Sequence, residues 1–215
     1  MFKEIFTHQV KPLLKVLTIV YGVMSLALIG FHFTPYGTGI ILMVPMMWTP
    51  ILIAVYFWMA QFENNQLHSQ FNVKRKTAFL CWFFLLLLVV TLMTVVNFIL
   101  ATIAIEPLVR WEYPGTSPWH FFFPMFYFGN PLQMLLAQFS LNLAVGSLGF
   151  MIPYLHEVNE KFRFLMIPLI LLVVQGSIFD LVHGVFESPV LLPLTMFALS
   201  GIFLGISFWR NKKTA

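Results

Sequence analysis

The stretch 77–104, "TAFLCWFFLLLLVVTLMTVVNFILATIA", runs for 28 residues without a single charge. A helix rises about 1.5 Å per residue and the hydrocarbon core of a bilayer is about 30 Å thick, so about 20 apolar residues suffice to cross it. Runs of the same kind lie at 16–33, 40–60, 131–152, 164–183 and 190–209, and only 164–183 carries a charge inside it, Asp180. Lipid offers the backbone no hydrogen bonds, and the runs lack the alternation of an outer-membrane strand, so each is expected to be helical. The expected fold is an all-α integral membrane bundle of six transmembrane helices.

Composition agrees with that class. The chain is 60% hydrophobic and 9% charged, against about 25% charged in a soluble domain, which leaves no sizeable water-soluble domain. The net charge of +4 is scattered between the apolar runs rather than gathered on a soluble face, which argues against a nucleic-acid partner. A single cysteine, Cys81, excludes an intramolecular disulfide and a cysteine metal cage. The opening "MFKEIFTHQVKPLLK" leads into an apolar run without a signal-peptide cleavage site, so the first span is expected to be retained. In that opening Phe2, Ile5 and Phe6 share one helical face, as an interfacial helix over 1–15 would require; a frayed tail held by charge is the alternative.

The cations set the orientation. With the N-terminus cytoplasmic, six spans place Lys3, Lys11, Lys15, Lys74, Arg75, Lys76, Lys161, Arg163, Arg210, Lys212 and Lys213 inside and Arg110 alone outside. That sorting follows the positive-inside rule and puts both termini in the cytoplasm. The expected organisation is an interfacial helix at 1–15, two spans within 16–60 and a cytoplasmic segment at 61–76. A span at 77–104, an outer aromatic loop at 105–130, three spans within 131–209 and a basic tail at 210–215 complete it.

The segment 61–76, "QFENNQLHSQFNVKRK", is long for a helix connection, which usually takes about 2–8 residues. It is polar, with Phe62, Leu67 and Phe71 interspersed, and ends on Lys74, Arg75 and Lys76. With the apolar wall that follows, it resembles the segment of bacterial ABC-2 type transporter permeases that reads Ser-Leu-Pro-Val-(Ser or Lys)-Arg-Lys before the next membrane helix. Ser69, Val73, Arg75 and Lys76 match, whereas Phe71 and Asn72 stand where that family often has Leu and Pro. The resemblance implies a coupling helix, in which Phe62, Leu67, Phe71, Lys74, Arg75 and Lys76 would contact a separate ATP-hydrolysing subunit. It further implies a second permease copy or a paralogue, and export of an amphipathic or lipophilic substrate, a membrane-active peptide, across the bacterial cytoplasmic membrane. The plain alternative is that the three cations anchor the third helix at anionic lipid. No GxxxxGK[ST] phosphate loop occurs in the chain, so ATP and Mg²⁺ would be held by the partner, and no cofactor or metal is expected on this chain itself.

Other polar residues are few. Gln138, Asn142 and Gln175, with Asn97 and Gln133, lie in or at the ends of spans, where amides act as glue between helices, and Gln138, Asn142, Gln175 and Asp180 are the candidates for lining a path for substrate. Asp180 and His183 share one helical face near the end of the fifth span. "HEVNE" over 156–160 lacks the second histidine of a zinc protease, and His156, Glu157 and Glu160 are instead candidates for a second partner contact in a short cytoplasmic loop. In "GSLGF", Gly146, Ser147 and Gly149 suit close helix approach rather than a nucleophile turn. Pro45, Pro50 and Pro168 are expected to bend their helices. The loop 105–130 offers Trp111, Trp119, Phe122 and Phe126 as an aromatic belt or a landing surface for an amphipathic substrate. No facing pair of catalytic groups is evident in the spans, so the chain is read as a transport subunit and not itself an enzyme. A non-transporting immunity or scaffold protein that binds a membrane-active peptide is the alternative.

Overall fold

The computed structural model describes residues 11, 15, 18, 19, 21–23, 26, 49–60, 75–109, 131–156 and 190–213. Apart from the turn at Val190 all of these are helical, and no strand occurs among them. Four continuous helices emerge: α1 (Thr49–Ala60), α2 (Arg75–Val109), α3 (Pro131–His156) and α4 (Leu191–Lys213). The windows Lys76–Ile99, Leu135–Leu155 and Leu191–Asn211 make α2, α3 and α4 long and apolar enough to cross a membrane.

The helices overrun the boundaries that the apolar runs set. α2 takes in Arg75 and Lys76, which the sequence assigned to the segment before it, because straight-chain cations propagate a helix well. It also continues to Val109, into the stretch 105–130 expected as an outer loop, and carries Pro107 near its end. α3 runs four residues beyond 152 and carries His156 as its last helical residue, so that histidine is not in a loop. Pro153 lies inside α3 and leaves the carbonyl of Gly149 without its helical donor. The stretch 210–213, read as a basic tail, is the last turn of α4, where cations complement the helix dipole.

Side-chain contacts fix the directions. Asn142 meets Thr94, a methyl group at Gly146 would meet Leu86, and Phe150 meets Phe79, so α2 and α3 run antiparallel. α3 and α4 run parallel, with Ala137 and Ala144 against Leu192 and Met196, and Leu148, Met151 and Ile152 against Phe203 and Ile206. On α3 these positions recur every three or four residues, the seam spacing of a left-handed helix pair. α3 is central: 78% of its crossing window is buried, against 50% for α2 and 28% for α4.

Phe79 and Phe208 stack at 5.5 Å, which brings the start of α2 and the end of α4 together. Arg75, Lys76, Arg210, Lys212 and Lys213 therefore occupy one end of the bundle, the cationic end. Above it lies an aromatic layer in which Phe57 packs on Trp82 at 6.1 Å and on Phe150 at 6.3 Å, and Phe79 packs edge-on to Phe150 at 5.4 Å. The glycines then bring backbones close. A Cβ on Gly149 would fall on the backbone of Ala54 in α1, and one on Gly146 would lie 2.8 Å from Ile53 Cγ2 and 2.9 Å from Leu86 Cδ1. The close approach expected of this pair is present, and α1 is what Gly149 approaches. On the outer side of α2, Leu80, Phe84, Leu88, Leu92, Val95 and Ile99 form an exposed stripe at helical spacing, a surface suited to lipid tails rather than water.

Candidate functional site

The far end of the bundle from its cations carries the polar side chains that reach between helices. A side-chain amide has two N–H donors and a carbonyl acceptor, and a helix backbone cannot satisfy all of them locally. Hydroxyls can bond their own helix. Ser200 Oγ donates to the Met196 carbonyl at 2.7 Å, Ser207 Oγ to Phe203 at 2.8 Å, Ser140 Oγ to Ala137 at 2.8 Å and Thr91 Oγ1 to Leu87 at 2.7 Å. Amides buried in an apolar bundle are therefore driven towards other helices, because an unmet polar group there costs several kcal/mol.

Asn97 of α2 does this with two partners. Its Nδ2 donates to Thr49 Oγ1 of α1 at 3.1 Å, and its Oδ1 accepts from the Tyr21 hydroxyl at 3.0 Å. Tyr21 and Thr49 are themselves 3.1 Å apart. With the phenol proton given to Asn97, the Thr49 hydroxyl is the donor to Tyr21, and the three bonds close a ring across three chain segments. One turn away on α2, Thr94 Oγ1 accepts from Asn142 Nδ2 of α3 at 3.1 Å. Gln138 precedes Asn142 by four residues on the same face of α3. Thr49, Thr94, Asn97, Gln138 and Asn142 are all buried. Counted along α2 from Lys76, the layer lies about 27–31 Å from the cationic end, near the far limit of a hydrocarbon core about 30 Å thick.

Two atoms in this layer have no hydrogen-bond partner: Gln138 Nε2 and Asn142 Oδ1. Trp82 Nε1 and Ser147 Oγ are likewise unpartnered but lie elsewhere in the bundle.

Of the residues singled out in the sequence, Asn97 and Asn142 make the interhelical bonds expected of amide glue, and Gln138 lies beside them. Lys76 is exposed in the first turn of α2 with Arg75 next to it in the helix. Arg210 stacks over the Trp209 ring at 5.1 Å from its centroid, a cation–π contact at the same end. Phe62, Leu67, Phe71, Lys74, Glu157, Glu160, Gln175, Asp180, His183, Trp111, Trp119, Phe122 and Phe126 lie outside the described residues, as do Pro45 and Pro168. Sequence reasoning missed Tyr21, Thr49 and Thr94. The spacing of Thr94 and Asn97, three apart in an otherwise apolar run, was the available signal for one of them; a lone tyrosine in a span reads as core or belt. Comparison with known proteins brings no family model, no curated protein and no solved structure that matches the chain.

Proposed function

We propose that the chain is the membrane-spanning permease subunit of an ABC-2 type exporter, moving an amphipathic or lipophilic substrate, a peptide, across the bacterial cytoplasmic membrane. It would have six spans with both termini cytoplasmic, pair with a second permease copy, and draw on ATP hydrolysed by a separate chain. The observation that carries this reading is the shared end of α2 and α4. The cations at the start of α2, directly after the segment 61–74, lie beside those at the end of α4, where an ATPase docked on that segment would press on two helices at once. Parallel α3 and α4 support the six-span topology, which sets one further crossing between them. The buried amides of Gln138 and Asn142, with Nε2 and Oδ1 unpartnered, support a substrate path. The backbone-tight crossing of Gly149 on Ala54 favours a second reading, a rigid immunity or scaffold protein without transport.

One purification separates them. Tagged protein extracted from its host in mild detergent is expected to bring down an ATP-hydrolysing subunit near one-to-one, and to lose it when Lys74→Glu, Arg75→Glu and Lys76→Glu are combined in a variant that still inserts. Absence of any ATPase from the native preparation would sink the permease reading and leave the scaffold.

A further inference from the structure

The unpartnered Gln138 Nε2 is a donor and the unpartnered Asn142 Oδ1 is an acceptor, with side chains 1% and 0% exposed. They lie one helical turn apart, about 6 Å along the axis of α3. Asn142 is bonded to Thr94, and Gly146, one turn further on, faces Ile53 and Leu86, so the stripe they share looks towards α1 and α2. An unmet group is costly in an apolar bundle, and lipid tails cannot meet it. The other two unpartnered atoms are single groups: Trp82 is packed against Phe57, and Ser147 is five residues from Asn142 on a different face of α3. Among the described residues, only Gln138 and Asn142 set a free donor beside a free acceptor.

We propose that Gln138 and Asn142 form an intramembrane binding site for a neutral secondary amide, the group an apolar peptide presents from its backbone. A secondary amide carries one carbonyl for the Gln138 donor and one N–H for the Asn142 acceptor, pointing in opposite directions as two groups a helical turn apart require. Among the described residues no charged side chain belongs to the layer, which favours a neutral ligand group over an ionised one. Tyr21, Thr49 and Asn97 already satisfy one another and form the closed wall beside the site. Entry requires α2 and α3 to part at the level of the Thr94–Asn142 bond. The Gly149–Ala54 crossing, which holds α3 on α1, lies about 10 Å nearer the cationic end. The peptide as source of the amide rests on the permease reading; the hydrogen-bond chemistry does not.

The test uses the full chain in lipid nanodiscs and three probes: N-acetyl-leucyl-photoleucine N-methylamide, its analogue with an ester oxygen in place of every amide N–H, and N-dodecylacetamide as a lipid-like competitor. The peptide is expected to label α2 and α3 around 94–97 and 138–142, and the ester to label about tenfold less, as the loss of one hydrogen bond to a buried partner predicts. Gln138→Leu and Asn142→Leu should each cut labelling by a similar factor. Equal labelling by amide and ester, or labelling untouched by both substitutions, overturns the site. Full displacement by equimolar N-dodecylacetamide overturns the peptide as the source and assigns the amide to a lipid. Labelling as expected from a preparation that never yields an ATPase would leave this site standing while the permease reading falls.

Discussion

The two halves of α3 are held in opposite ways. Towards the cationic end, Phe150 is enclosed by Phe57, Phe79 and Tyr154 while Gly149 touches the backbone of Ala54, contacts that depend on shape alone. Towards the other end, Asn142 and Gln138 depend on partners of the right type, and two of their atoms lack one. In lipid no hydrophobic force drives helices together, so close packing and interhelical hydrogen bonds must hold the bundle. Shape can be saturated within the chain. Directional bonding at a layer of amides is satisfied only in part, so the packed half is the frame and the polar half is where chemistry can enter.

Substitutions can break this contrast, beginning with the frame. Phe150→Ala removes the ring that three aromatic neighbours contact and should cost about 4 kcal/mol, read as a large fall in Tm in detergent. A fall of only a degree or two would mean that the aromatic layer is dispensable. Gly149→Ala places a methyl group on the Ala54 backbone, which cannot turn aside as a side chain can, and about 3 kcal/mol is expected. Gly146→Ala meets only the ends of Ile53 and Leu86 and should cost about 1 kcal/mol, so equal effects of the two alanines would contradict the crossing described. In the polar half, Asn97→Leu removes two bonds but leaves Tyr21 and Thr49 paired. A loss of about 1 kcal/mol in a reversible unfolding titration is expected. At the bottom of the scale, Gly201→Ala on α4 adds a methyl group where nothing lies within 4 Å. It should be neutral or stabilise by up to about 1 kcal/mol, since alanine is the better helix former.

The spans were legible where bilayer thickness dictates them. The runs at 77–104, 131–152 and 190–209 all reappear as helices, because a span needs a fixed length of apolar chain. Their ends were not legible, since a helix does not stop where hydrocarbon does: Arg75, His156 and Lys213 extend three of them. Gly146 and Gly149 could be read as a close-approach pair, but not that Ala54 is what Gly149 approaches, which depends on neighbours that only folding assigns. The same holds for the amides. That Asn97 and Asn142 would seek partners followed from their chemistry, whereas Tyr21, Thr49 and Thr94 as those partners did not. Pro153 lies one residue past the apolar run 131–152, so the length of that run carries no sign of it.

The parallel arrangement of α3 and α4, with α4 only lightly covered, bears on the order in which the protein is made. Chain leaves the ribosome N-terminus first, and α1, α2 and α3 together hold the aromatic trio of Phe57, Trp82 and Phe150, the Gly149 crossing and the Thr94–Asn142 bond. Every residue of these contacts precedes Leu191 in the chain. The seam that α4 fits is therefore on α3 ahead of it in the chain, and a nascent chain cut short after His156 already contains Tyr21, Thr49, Thr94, Asn97, Gln138 and Asn142.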